Sequence, residues 1–84
     1  MQFTKQAIIL LRDKYSFSKA EWRVLFAIGA NYPHPKSRKL LVESVSQVSY
    51  SRAISALQFL KDIGFVEEDD FEVRFNPIYI KVED

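Results

Sequence analysis

Cysteine is absent from the 84 residues. That excludes disulfides, thiolate metal ligands and a thiol nucleophile, and it fits a reducing compartment. Histidine occurs once, at His34 between Pro33 and Pro35, which reads as a loop residue rather than a base or a ligand. The two glycines, Gly29 and Gly64, form no phosphate loop. Without such a loop, or a His paired with carboxylates, catalysis has no visible machinery. The expectation is a binding protein and not an enzyme, with no cofactor and no metal. No apolar run outlasts Ala7–Leu11, far short of the roughly 20 residues a membrane span needs. The first residues lack the basic start, longer apolar stretch and cleavage site of a secretory signal. A small, soluble, cytoplasmic domain with no membrane partner is expected.

What is present suits one folded unit over residues 1–84, since domains run from about 50 to 250 residues. Apolar residues make up 48% and aromatics 14%, enough to bury a core. The net charge of +1 hides a split. Residues 1–62 carry ten Lys or Arg against four Asp or Glu, a net +6, while residues 63–84 carry two against seven, a net −5. Such asymmetry points to a polyanion-facing body with an acidic tail.

Periodicity predicts helices first and strands last. Phe3, Ala7, Leu10, Leu11 and Lys14 follow helical spacing over 3–14, with Ile8 and Ile9 outside the stripe. Ser18-Lys19-Ala20-Glu21 is a capping box that opens a second helix. Its Trp22, Val24, Leu25, Phe26, Ala27 and Ile28 are apolar nearly all round, as at the centre of a fold. Pro33 ends it. Leu41, Val42 and Val45 mark a short helix over about 37–46, then Ser46–Ser49 turn the chain. Ala53, Ala56, Leu57, Leu60 and Ile63 mark a longer helix over 50–63, which Gly64 stops in the left-handed region. The period then switches to two. Phe65–Glu68 and Phe71–Phe75 read as a hairpin with Asp69-Asp70 at its tip, and Ile78, Ile80 and Val82 as a final strand.

The segment Val48-Ser49-Tyr50-Ser51-Arg52-Ala53-Ile54-Ser55-Ala56-Leu57-Gln58-Phe59-Leu60-Lys61-Asp62-Ile63-Gly64-Phe65-Val66 resembles the recognition-helix segment of winged helix-turn-helix regulators of the GntR and MarR types. The best match covers residues 40–66, and the order of elements extends it over most of the chain. The resemblance implies an α+β winged helix-turn-helix fold: three to four helices, then a small antiparallel β-hairpin wing and a C-terminal strand. It further implies transcription regulation by insertion of the helix of about 50–63 into the major groove. Two features depart from the family pattern. Ser46-Gln47 lengthens the turn before Val48, and the wing reads Glu67-Glu68-Asp69-Asp70 where those families carry Arg or Lys. An acidic tip is repelled by a phosphate backbone.

The chemistry of the residues points the same way. Short polar side chains at the start of an exposed helix can reach base edges in the roughly 12 Å wide major groove. Ser49, Tyr50, Ser51, Arg52, Ser55 and Gln58 lie on the polar side of that helix. Lys36, Arg38 and Lys39 start the helix before it, where cations meet phosphates. These nine are the candidate DNA-binding residues, and double-stranded DNA is the expected partner. The plainer alternative is a solvated helix face. The Glu67–Asp70 run matches no calcium loop and reads as a solvated tip, while Tyr32, Phe59, Phe75 and Tyr79 read as core or interface. No room is evident for a small-molecule effector. Two other readings stay open: the DNA-binding domain of a plasmid or viral replication initiator, which Gly64–Ile80 resembles, and a protein-interaction module using the acidic wing. One recognition helix makes few contacts, and Ile8 with Ile9 offers spare apolar surface, so a homodimer through the N-terminal helix is expected.

Overall fold

Each of the four α-helices of the computed structural model, which describes residues 2–32 and 34–81, starts at a hydroxyl side chain. Thr4, Ser18, Ser37 and Ser49 each accept from the N–H three residues on, which satisfies a donor that has no intrahelical partner. The helices are α1 (Lys5–Ile9), α2 (Lys19–Asn31), α3 (Arg38–Ser44) and α4 (Tyr50–Asp62). Strands β1 (Lys36–Ser37), β2 (Val66–Asp69) and β3 (Glu72–Phe75) form one antiparallel sheet in the order β1-β3-β2. The architecture is thus a small α+β domain of four helices and a three-stranded antiparallel sheet. Among the described residues, no helix is long and apolar enough to cross a membrane. Pro33, read as a helix stop, and Val82, read in a final strand, lie outside the described residues. Tyr32 before the proline is extended at φ −61°, ψ 138°, as the proline ring requires.

The first helix begins later than its periodicity predicts. Phe3 is extended and bridges Ile80, with its ring 5.7 Å from that of Phe65 and 5.2 Å from that of Phe75. After Ile9 the helix widens into a π-turn over Leu10–Lys14, closed by the Tyr15 N–H donating to the Leu10 carbonyl. Ala7 is fully buried, Leu10 and Leu11 pack partly against the core, and Ile8 and Ile9 stay exposed.

Helices α2 and α4 form the main packing pair. Both steps of the Ser18 capping box are made. Val24, Leu25 and Ile28 of α2 are buried, and Ala53 and Ala56 of α4 let the backbones approach. The all-round burial expected of α2 is not found: Phe26 is 64% exposed, on the side of the helix away from Val24, Leu25 and Ile28. Gly64 sits at φ +79°, where a Cβ is disfavoured. Its N–H donates to the Lys61 carbonyl and the Phe65 N–H to that of Leu60, the bonding of a Schellman stop. Leu60 and Phe65, joined by that second bond, are both fully buried.

The hairpin tip lies one residue later than the sequence reading placed it. Asp69 pairs with Glu72, so Asp70 and Phe71 form the tip, at φ 51° and 66°. Both central residues left-handed is the signature of a type I′ turn, which usually takes Asn-Gly or Asp-Gly. Phe71 therefore does not join Val73 and Phe75 on the inner face; it is 85% exposed. The final strand is also corrected. Pro77–Tyr79 is a 3-10 turn, because Pro77 follows an Asn76 cap whose side chain accepts from the Ile78 N–H. Among the described residues of that segment, only Ile80 retains strand character, through its bridge to Phe3. Of the four aromatics read as core or interface, Phe75 is buried, Phe59 and Tyr79 pack against the core, and Tyr32 is 45% exposed.

Candidate nucleic-acid interface

Helix α4 divides its side chains cleanly. Ala53, Ala56, Leu57 and Leu60 are buried, whereas Tyr50, Ser51, Arg52, Ser55 and Gln58 are exposed. Positions 51, 55 and 58 follow i, i+4, i+7 spacing and so form one continuous polar stripe. The Ser49 hydroxyl accepts from the Arg52 N–H at 3.3 Å and lies 3.5 Å from the Ser51 hydroxyl. At the far end the Gln58 amide donates to Asp62 at 2.8 Å, which fixes Gln58 in place. All six residues predicted on this helix and its cap are therefore exposed along one element.

The turn ahead of α4 adds a neighbour that local spacing does not reveal. Gln47 adopts φ 62° and its side-chain oxygen accepts from Arg23 of α2 at 2.6 Å. This brings the start of α4 against the start of α2. A shallow cleft of about 190 Å³ is lined by Lys19, Ala20, Gln47, Val48, Ser49 and Arg52. A second, of about 310 Å³, shares Lys19, Ala20 and Arg52 and adds Ser55. Lys19 thus stands beside Arg52, although 33 positions separate them in sequence. No spacing rule signals that pairing, which comes from helix packing alone.

Lys36, Arg38 and Lys39 are exposed but lie elsewhere. Lys36 is in β1 opposite Val73. The Arg38 guanidinium donates to Glu68 Oε1 at 2.7 Å, and the Lys61 ammonium donates to the same oxygen at 2.9 Å. Lys61 lies about 14 Å along the helix axis from Arg52. The nine predicted residues therefore fall into two groups, one at the start and outer face of α4 and one beside the hairpin. The hydrogen bonds from Lys61 and then Arg38 hold the Glu68 carboxyl below the usual glutamate range. Glu68 faces inward because it shares its strand face with Val66, opposite Val73. Glu67, Asp69, Asp70 and Glu72 enter no ion pair among the described residues.

Elsewhere the side chains offer little chemistry. His34 is an exposed loop residue, and its backbone N–H donates to the Asn31 carbonyl at 2.7 Å. Among the described residues no group of three or more His, Asp or Glu is placed to hold a metal ion. Comparison with protein-family models, curated proteins and solved structures finds no match.

Proposed function

We propose that this chain is a winged helix-turn-helix domain that binds duplex DNA through α4 and regulates transcription in the cytoplasm, by binding rather than by enzymatic action. The observation that carries the reading is the polar stripe of α4, with Arg52 at its start and a fully apolar opposite face. The order of helix, short strand, two helices and hairpin supports the winged reading. A helix of 13 residues is about 20 Å long and fits the major groove with its first turns toward the bases. Arg52 is suited to guanine, Gln58 to adenine, and Ser51 and Ser55 to either edge. Lys19, Lys36 and Lys39 supply cations for backbone phosphates. The acidic hairpin tip stands away from the backbone, since like charges repel.

A homodimer completes this reading. Ile8 and Ile9 are 41% and 51% exposed on α1, and pairing two copies there presents two α4 helices to two half-sites. Selection of bound sequences from a random duplex pool tests the function. An enriched motif, repeated at about one helical turn, is the expected outcome. A pool that stays random after several rounds would refute sequence-specific binding. Light scattering at micromolar concentration tests the dimer, and a monomeric mass would refute it.

A further inference from the structure

Two cations from different elements converge on a single oxygen of the hairpin. Arg38 opens α3, Lys61 closes α4, and both donate to Glu68 Oε1, at 2.7 and 2.9 Å. Charge-assisted donors meeting at one anionic oxygen are the arrangement that also holds a phosphate oxygen. Glu68 and Lys61 are 19% and 24% exposed at the side chain, but Arg38 is 45% exposed. The site is therefore open to solvent on the Arg38 side. It also lies on the same helix as the polar stripe, three residues past Gln58. An incoming anion requires only that the Glu68 side chain rotate away, because the strand itself is held by buried Val66 and Val73.

We propose that Arg38 and Lys61 form an oxyanion site for a backbone phosphate of duplex DNA, and that Glu68 is its built-in competitor, setting how strongly the domain holds DNA of any sequence. This rests on the DNA-binding reading above and adds Lys61 and Glu68 to it. With Glu68 in place the three groups carry a net +1, and a phosphate gains little there. With the carboxylate gone they carry +2. Sequence-independent affinity comes from phosphate neutralisation, so the competitor lowers binding to random DNA while leaving base contacts at Ser51, Arg52 and Ser55 untouched. Discrimination between target and non-target duplexes rises as a result.

The test compares the full chain with Glu68→Gln and with Glu68→Gln combined with Arg38→Ala, against two probes. The first is a duplex of arbitrary sequence. Glu68→Gln should bind it roughly 5–10-fold more tightly at low salt, with the slope of log affinity against log salt steeper by about 0.9. The double variant should lose both gains. The second probe is inorganic phosphate, followed by NMR of the Arg38 and Lys61 side chains. Glu68→Gln should show saturable shifts that the wild type shows only at about tenfold higher phosphate. Thermal melts confirm that the variants are folded. Wild-type binding to duplex with no gain on either probe in Glu68→Gln would overturn the inference and leave the role of α4 intact. Phosphate binding without any duplex binding, in wild type or variant, would instead overturn the DNA reading and the ligand proposed here with it.

Discussion

The two ends of α4 are built on opposite terms. Its C-terminal end is closed: Gly64 makes the stop, Leu60 and Phe65 are fully buried across it, and Lys61 is tied to Glu68. Its N-terminal end is open: Tyr50, Ser51 and Arg52 are exposed, a cap hydroxyl serves the backbone, and a basic cleft runs toward α2. The contrast sets the end that anchors the helix apart from the end proposed to read bases. The closed end ties the helix to the hairpin, and the open end is free to meet a ligand without disturbing the core.

Substitutions at the closed end should cost stability. Phe65→Ala removes a fully buried ring in contact with Phe3, Phe75 and Tyr79, a loss of about 3–5 kcal/mol. Chemical denaturation is the check, and a loss below about 1 kcal/mol would show that the closed end does not govern stability. Gly64→Val should cost about 1–2 kcal/mol. A Cβ there meets nothing within 4 Å, so the cost is one of backbone conformation alone. Gly64→Asn should then recover much of it, since Asn tolerates the left-handed region. Equal losses for Val and Asn would point to a steric cause instead.

The hairpin sharpens the comparison with a change of opposite sign. Phe71 is exposed in a left-handed conformation that a bulky residue adopts at a cost. Phe71→Gly creates the Asp-Gly pair that type I′ turns prefer and should stabilise the domain by on the order of 1 kcal/mol. A lower melting temperature would mean the Phe71 side chain contributes contacts that outweigh its strain.

The smallest effect is a pH dependence. A carboxyl whose folded value is depressed contributes stability above its ordinary value and loses it as pH falls through the depressed one. Glu68 is such a group, held down by Lys61 first and Arg38 second. As pH falls below the ordinary glutamate value of about 4.3, the wild type should lose melting temperature more steeply than Glu68→Gln. Parallel profiles would show that the ion pairs do not persist in solution.

Features set by near neighbours in the chain were legible in the sequence. The Ser18–Glu21 box, the polar and apolar faces of α4 and the Gly64 stop each depend on residues within a few positions of one another. Features made by distant partners were not. Strand β1 is two residues long and exists only through pairing with β3. Phe3 satisfies the helical stripe in spacing, yet an aromatic cluster formed with Phe65 and Phe75 draws it out. Phe71 fits a period-two strand, but the register of the hairpin puts it at the tip. Asn76-Pro77 overrode the alternation of Ile78 and Ile80, because a capped proline starts a 3-10 turn more readily than a strand. In the candidate site, the six residues from Ser49 to Gln58 were found by face. Lys19 beside Arg52, and Glu68 between Arg38 and Lys61, belong to tertiary packing. Period two counted from Val66 does place Glu68 inward, and that was the one available sign that its charge needed partners inside.

In the function proposed above, the open end of α4 meets duplex DNA, and a salt titration of binding tests this most directly. Wild type and Arg52→Ala are compared on the duplex selected from the random pool. The wild type should bind with log affinity falling linearly with log salt, by about 0.9 per phosphate neutralised. Arg52→Ala should lose about 1–3 kcal/mol of affinity and discriminate less against altered bases, with an unchanged melting temperature. Equal affinity and equal slope in the two folded proteins would contradict the assignment of α4 as the DNA-reading helix.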